Sequence, residues 1–286
     1  MQILGRFSRR QKVIGGSLAG LLLLSIGLVV SQTGTRQPVA NPTVIIRKTK
    51  DLPADPWAAS WKRVSGVVMP LSVVSTVNPI QQNVQVKAVT DGQQVAIRLE
   101  WADDSEEAQT MRPQDFADAA AIQMAAGVTN ACMGQLDAPV NIWHWKADSR
   151  PGAREIASVY PNMWDDGFHD DSGQAAAVFG QPEYAIPALA VGNQRALPDQ
   201  QGKAENLIAG GNSTLTSKPD RPTAVTATWK EGKWAVIFTR PLTGENGDLT
   251  FAAGVPVQAA FAIWDGKQMQ RDGMKYITDW AVLELK

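Results

Sequence analysis

Apolar and polar residues alternate along two pairs of neighbouring segments, and a short turn separates the members of each pair. Val84–Ala88 and Val95–Leu99 flank Asp91-Gly92, and Ala224–Trp229 precedes Trp234–Arg240 across a turn that contains glycine. A period of two places every second side chain on one face of a sheet, so both pairs predict β-hairpins. No long segment after residue 55 has a helical period, which makes a helical bundle or an α/β fold a poor match.

Further strands are predicted where short runs rich in apolar residues lie between turn residues. These runs are Ala119–Met124, Val140–Trp145, Val255–Trp264 and Tyr276–Leu285. From about Ser149 to Ser213 the chain is rich in Gly, Pro, Gln, Asn and Asp, which indicates long loops with some short helix. The predicted fold is therefore mainly β: an antiparallel β-sandwich with long loops and a few short helices.

The N-terminus predicts a membrane anchor. Basic residues occur within 1–12, and Val13–Val30 is apolar and would span about 27 Å as a helix, close to a bilayer core of about 30 Å. The expected organisation is a cytoplasmic basic segment at 1–12, a single transmembrane helix or cleaved signal at 13–31, a tether at 32–54 and a folded domain at 55–286. The positive charges place the folded domain on the extracytoplasmic, periplasmic side of the cytoplasmic membrane.

Composition excludes several classes of function. The formal net charge is −1, so no basic field would attract nucleic acid. A single cysteine, Cys132, excludes an intrachain disulfide, covalent c-type haem attachment and cysteine-ligated iron–sulfur or zinc sites. No hydrolytic motif is present either, which favours a non-catalytic chain.

Several segments, taken in order, carry a resemblance to a known family. They are Asp118–Met124, Cys132–Ala147, Trp229–Arg240, Ala260–Gly266, Arg271–Lys275 and Trp280. Together they resemble the haem-binding domain of the gamma subunits of ethylbenzene dehydrogenase, dimethyl sulfide dehydrogenase, and selenate and chlorate reductases. The resemblance covers roughly residues 55–286.

The resemblance implies a cofactor and partners. Members of this family hold one non-covalent b haem in a β-sandwich, with one Met and one Lys on the iron. They relay electrons between the iron–sulfur subunit of a molybdopterin oxidoreductase and an external carrier, such as a c-type cytochrome or a quinone pathway. A separate molybdopterin subunit performs the chemistry, so the resemblance implies an electron-transfer subunit without catalytic activity of its own. The predicted N-terminal anchor departs from the family's usual soluble form.

The family pattern also selects candidate iron ligands. Met133 occupies the position of the thioether ligand, and Met124 is an alternative. Lys275 occupies the position of the amine ligand. The alternatives for it are Lys267 and Lys218. A lysine amine binds iron only after losing its proton, and free lysine has a pKa of about 10.4, so a buried site is required.

Other residues are candidates for the walls of a haem pocket, with packing in the sandwich core as the competing interpretation. They are Trp143, His144, Trp145, Arg240 and Trp264, of which Arg240 would meet a propionate. Strand alternation turns His144 away from both flanking tryptophans, as a packed or propionate-bonding side chain. His169 lies in an acidic loop that could hold calcium or be solvated. Cys132 is expected to be a small buried filler.

Two other functions compete with electron transfer. A membrane-tethered carbohydrate-binding module would share the β-sandwich and would show several tryptophans on one exposed face. A non-haem assembly subunit would use the long loop region as an interface.

Overall fold

The computed structural model describes residues 41–74, 79–110, 112, 114–150 and 202–286. The expected anchor at 13–31 and the acidic loop around His169 lie outside these residues. Within the described part of the chain, no helix has the length and apolar character needed to cross a bilayer.

The regular secondary structure of the described residues is almost entirely β, as the sequence predicted. The strands are β1 Thr43–Lys48, β2 Gly66–Val73, β3 Pro79–Thr90, β4 Gln94–Ala102, β5 Ala119–Ala125, β6 Val140–Lys146, β7 Glu205–Ala209, β8 Thr216–Ser217, β9 Ala224–Trp229, β10 Lys233–Pro241, β11 Val257–Trp264, β12 Tyr276–Ile277 and β13 Ala281–Leu285. Short 3₁₀ helices occur at Ala59–Arg63 and Ala147–Ser149.

The strands pair in two antiparallel ladders that face each other. One ladder runs β8-β7-β6-β5-β11, and the other runs β2-β3-β4-β10-β9. Trp145 of β6 lies 5.3 Å from Trp234 of β10 between ring centroids, although these strands belong to different ladders. Buried side chains from both ladders form one large apolar cluster, which is the interior of the fold.

Two strands join the ladders along one side. β12 pairs with both β11 and β2, and β13 extends the first ladder beyond β11. β1 is parallel to β13 at Thr43–Ile46 and then parallel to β3 at Arg47 and Lys48. The hydrogen-bonded sheet therefore continues from one ladder to the other.

The structure corrects three sequence predictions. Residues 43–48, assigned to the tether, form β1, because Val44 and Ile46 are buried against the core. The region expected to be loops contains β7, whose Leu207 and Ala209 pack on β6. The single strand expected at Tyr276–Leu285 is divided into β12 and β13, which pair with different partners.

Candidate cofactor site

Side chains of β5 and β6 alternate between two apolar clusters. Ala120, Ile122 and Met124 point into the interior, and the residues between them point to the opposite face. We call this second surface of β11, β5, β6 and β7 the outer face. Its buried cluster consists of Ala119, Ala121, Ala125, Val140, Ile142, Leu207, Ala209 and Trp264, with Met133, Ala262 and Trp280 packed against it.

Small side chains occupy the centre of the outer face. Ala262 of β11 pairs with Ala121 of β5, which pairs with His144 of β6. Two residues further along β11, Trp264 pairs with Ala119 of β5. Because β5 presents only methyl groups here, the outer face has a flat apolar floor bordered by larger side chains.

Met133 reaches this floor from the loop that joins β5 to β6, residues 126–139, which we call the methionine loop. The Gln123 amide on β5 donates to the Ala131 carbonyl at 3.0 Å, and the Gly211 N–H donates to the Met133 carbonyl at 2.9 Å. Met133 has a φ of 67°, a left-handed conformation that costs energy for a residue with a Cβ. These contacts hold Met133 half-buried against the outer cluster.

Lys275 reaches the same face from the loop that joins β11 to β12, residues 265–275, which we call the lysine loop. Its Nζ lies 5.1 Å from the centre of the Trp264 ring. Burial lowers the pKa of Lys275, and the nearby charges of Cys132 and Asp272 oppose that shift. Met133 and Trp264, which the Lys275 Nζ approaches, belong to the same outer cluster, so the two loops reach one face. A lowered pKa makes the amine easier to deprotonate, as coordination to a metal requires.

His144 and Trp264 complete the border of the floor. Their ring centroids are 5.1 Å apart, with 59° between the planes. His144 Nδ1 lies 2.9 Å from Glu205 Oε2 on the neighbouring strand β7. His144 therefore faces away from Trp143 and Trp145, as strand alternation predicted.

The other predicted site residues lie elsewhere. Trp143, Trp145 and Arg240 are buried in the interior between the ladders, and the guanidinium of Arg240 lies 5.1 Å from the Trp143 ring centre. Met124 is fully buried on the same inner side. The structure does not bring these four residues to the face that holds Met133 and Lys275. Met124, Trp143 and Trp145 point to the inner side of β5 and β6, and Arg240 belongs to the other ladder.

Neither alternative lysine lies over the floor. Lys267 is exposed in the lysine loop. Lys218 forms an ion pair with the buried carboxylate of Asp248 and donates to the Asn246 carbonyl at 2.9 Å.

Sequence reasoning missed parts of this surface and misjudged one residue. The alanine floor was not predicted, although the small residues two apart in β5 and in β11 are its signature. Glu205 was missed because it lies in a region assigned to loops. Cys132 is exposed instead of buried, with its Sγ 3.5 Å from Asn212 Oδ1, because it belongs to a loop that covers the sheet.

Three carboxylates, Asp103, Asp118 and Asp265, gather at the end of the sandwich. Asp118 accepts hydrogen bonds from the backbone N–H groups of Glu107 and Gly266 and from the indole of Trp234. Burial raises the pKa of Asp118 to about 6, although these donors oppose the shift. Burial, followed by the charge of Asp118, raises the pKa of Asp103 to about 7. With three N–H donors, Asp118 acts as a structural link between segments.

A cavity of about 790 Å³ lies away from the outer face, beside β9 and residues 106–109. Its walls include Trp145, and Arg150 in the wall is paired with Glu106 at 2.6 Å. Its lining residues offer no thioether, imidazole or lysine amine to a metal. The pair Met133 and Lys275 therefore distinguishes the outer face from this cavity.

The tryptophans do not form an exposed platform in the described part of the chain. Each tryptophan there is buried or half-buried. The feature expected of a carbohydrate-binding module, several tryptophans on one exposed face, is not found in those residues.

Comparison with known proteins supports one family. The sequence profile of the family described as ethylbenzene dehydrogenase matches residues 58–276. A respiratory nitrate reductase heme subunit of Haloferax mediterranei is 24% identical over 271 residues, which cover 91% of this chain and 77% of that protein. The dimethylsulfide dehydrogenase subunit gamma of Rhodovulum sulfidophilum is 22% identical, covering 79% of this chain and 72% of that protein.

Two further comparisons complete this result. The chlorate reductase subunit gamma of Ideonella dechloratans is 24% identical over 79% of this chain and 77% of its own length. A solved family 9 carbohydrate-binding module from Caldicellulosiruptor kristjanssonii aligns with a TM-score of 0.42 and 9% identity, over 85% of this chain and 95% of that chain, a likeness too distant to bear on function. The family profile spans most of the β-sandwich, including both loops of the outer face, and the chain therefore belongs to the ethylbenzene dehydrogenase family.

Proposed function

We propose that this chain is an electron-transfer subunit that holds one non-covalent b haem, with Met133 and Lys275 as the axial ligands of the iron. The observation that carries the proposal is that both side chains lie at one apolar cluster: Met133 packs against it, and the Lys275 Nζ lies 5.1 Å from the ring of Trp264, a member of that cluster. The two residues come from loops far apart in the sequence, and each occupies the ligand position of a family motif. The relatives named as a heme subunit and as gamma subunits support the same assignment.

The residues present fit an iron porphyrin. The cluster around Ala121 and Ala262 is apolar, as the surroundings of a porphyrin are, and the aromatic rings of Trp264 and His144 lie beside it. A thioether and a neutral amine are both competent iron donors, and burial lowers the pKa of the Lys275 amine. When bound, a haem with both axial positions filled would supply one-electron transfer, with no open position for oxygen.

The protein's own contribution would be to bind and orient the cofactor. The methionine loop fixes the thioether through its hydrogen bonds to β5 and to Gly211. The outer apolar cluster would exclude water from a bound porphyrin, and such surroundings would disfavour the charge of ferric iron and so raise the haem potential. His144 could also donate to a propionate from the edge of the floor.

The proposal extends to partners and location. The chain would relay electrons between the iron–sulfur subunit of a molybdopterin oxidoreductase and an external carrier, without catalysing a reaction itself. The apolar segment at 13–31 would anchor it in the cytoplasmic membrane, with the β-sandwich on the periplasmic side.

Reconstitution with haemin tests the proposal. We expect the full chain to bind one haem and, after reduction, to show the sharp α and β absorption bands of a six-coordinate low-spin b haem. Met133→Leu and Lys275→Leu should each lose the low-spin spectrum, because each keeps an apolar side chain but removes a donor atom.

The matched controls are Met124→Leu in the core and Lys267→Leu in the lysine loop, which should both keep the low-spin bands. A chain that binds no haem, or variants at Met133 and Lys275 with unchanged spectra, would contradict the ligand assignment. Purification of the chain from its source membrane with a molybdopterin subunit and an iron–sulfur subunit would test the partners.

A further inference from the structure

Trp264 is the last residue of β11 and touches both the lysine loop and the floor. Its indole Nε1 donates to the Asp272 carbonyl at 3.2 Å, three residues before Lys275. Its ring lies 5.1 Å from the Lys275 Nζ. Trp264 is 8% exposed, so these contacts are shielded from water.

The ring of Trp264 is held from behind by a second strand. His144 of β6 contacts it at 5.1 Å between centroids, and Glu205 of β7 holds His144 through the 2.9 Å contact at Nδ1. The other carboxylate oxygen of Glu205 lies 4.0 Å from the guanidinium of Arg221. Four side chains thus form a connected series from Arg221 to Trp264.

This series depends on the small residues of β5. β11 and β6 are separated by β5, and neighbouring strands lie about 4.8 Å apart, so their side chains are about 10 Å apart at the backbone. Ala119 and Ala121 leave the space above β5 empty enough for the rings of Trp264 and His144 to meet. A larger side chain on β5 would separate them.

We infer that Trp264 is a positioning residue for the Lys275 amine, held in place by His144 and Glu205. A lysine side chain has four flexible bonds and loses rotamer entropy when it is fixed. The Trp264 N–H fixes the backbone of the lysine loop, and its ring limits the directions open to the lysine stem. The inference rests on the proposed function, since it assumes that Lys275 is an iron ligand.

The test separates ligand positioning from pocket shape by using two probes on the full chain. Haemin reports ligation through the ratio of six-coordinate low-spin to five-coordinate high-spin haem. Iron-free protoporphyrin IX reports binding to the pocket without any axial ligand. For Trp264→Leu we expect the six-coordinate to five-coordinate ratio to fall roughly twofold to tenfold, the range of one lost hydrogen bond to the loop that carries the amine. Protoporphyrin affinity should change by less than about threefold.

Two further variants sharpen the result. Trp264→Phe keeps a ring but loses the hydrogen bond to Asp272, so it should recover part of the low-spin haem. Trp57→Leu removes a half-buried tryptophan that lies beside Arg98, away from the outer cluster, and should keep the wild-type ratio. Adding imidazole should restore a six-coordinate spectrum to Trp264→Leu, because the binding pocket is intact.

The outcomes separate the positioning role of Trp264 from the ligand role of Lys275. The positioning role is wrong if Trp264→Leu and Trp264→Phe both keep the wild-type ratio of six-coordinate to five-coordinate haem. It is also wrong if Trp264→Leu lowers the affinity for protoporphyrin IX by as large a factor as that ratio. In both cases Met133 and Lys275 still stand as ligands. If the Lys275→Leu variant with haemin has the same low-spin spectrum as the wild type, the proposed function fails instead. If Trp264→Leu does not fold, Trp264→Phe alone tests the inference. A full low-spin signal in Trp264→Phe would show that the hydrogen bond to the Asp272 carbonyl does not position the amine.

Discussion

The buried carboxyl group of Asp118 accepts several hydrogen bonds but lies beside two other carboxyl groups. Asp118 receives three N–H donors from segments distant in sequence, so it links β5 to the Glu107 segment, to β10 and to the lysine loop. Asp103 and Asp265 lie beside it, and three carboxylates cannot all be ionised there without repulsion. The raised pKa values of Asp103 and Asp118 express that conflict.

A pH dependence of stability follows from these two carboxyls. Their pKa values are about 7 and about 6 in the folded protein against 3.8 for the ordinary side chain, so the folded state holds their protons more tightly than the unfolded state. Their effect on stability is therefore absent below about pH 4 and becomes more unfavourable as the pH rises towards 7. We expect the free energy of unfolding by urea to fall by roughly 1–3 kcal/mol between pH 5 and pH 8.

Asp103→Asn should remove most of that slope and stabilise the protein at pH 8, because Asn keeps an oxygen for the Ser105 N–H. Asp104→Asn, at the exposed neighbouring position, is the control and should keep the wild-type slope. Equal slopes in Asp103→Asn and wild type would show that the cluster does not control the pH dependence.

At the scale of elements, β1 is the strand that connects the two ladders. It pairs in parallel with β13 and then with β3, and its burial alternates, with Val44 and Ile46 inside and Ile45 only half-buried. Parallel pairing of a short strand is stabilised mainly through buried side chains on one face. The contribution of β1 should therefore depend on the inward residues.

Ile46→Ala should lower the free energy of unfolding by about 2–4 kcal/mol, since it removes a fully buried side chain from a packed core. Ile45→Ala changes the same side chain at the half-buried position and should cost less than about 1 kcal/mol. Urea denaturation of both variants measures the difference. Similar losses for the two would mean that β1 is not anchored by its inward face.

The sequence predicted the elements whose signals are local. Both hairpins, β3–β4 and β9–β10, are confirmed because alternation and turn residues lie within a few positions of each other. β1 was missed because it is only a short apolar patch whose partners are β13 and β3, far away in sequence. Strand alternation was enough to predict that His144 lies on the face opposite to Trp143 and Trp145. Which of the two faces is the interior depends on the position of the second ladder, which the alternation does not give. The selection of Met133 and Lys275 as candidate ligands came from family resemblance and stays a prediction, since no local pattern encodes it.

At the scale of the whole molecule, the candidate site is assembled from two loops that reach one face of the sheet. The methionine loop follows β5 and the lysine loop follows β11, and because these strands are antiparallel the loops start from opposite ends of them. Both reach the outer cluster, where Met133 and Trp264 pack. Neither loop alone could bind a macrocycle, and a ligand held by both would link them. Binding energy at such a site contributes directly to the stability of the folded state.

Haem should therefore stabilise the chain against heat. We expect the melting temperature of the reconstituted protein to rise with haem concentration, and saturating haem at about 100 times Kd corresponds to about 2.7 kcal/mol. The double variant Met133→Leu, Lys275→Leu should gain much less at the same haem concentration. Differential scanning calorimetry with iron-free protoporphyrin IX as the comparison separates ligation from non-specific porphyrin binding. An equal gain in the double variant would contradict a shared link through the iron.

The pairing of β1 with β13 joins the two ends of the described domain. Thr43 lies opposite Val282, so the first strand finds its partner only after the last few residues of the chain exist. A ribosome makes residue 43 long before residue 282, so Thr43–Ile46 lack their partner strand throughout that interval, although Arg47 and Lys48 can already pair with β3. Completion of this part of the sheet is thus a late step that depends on the synthesis of β13, and removing β13 would leave Thr43–Ile46 without their neighbour.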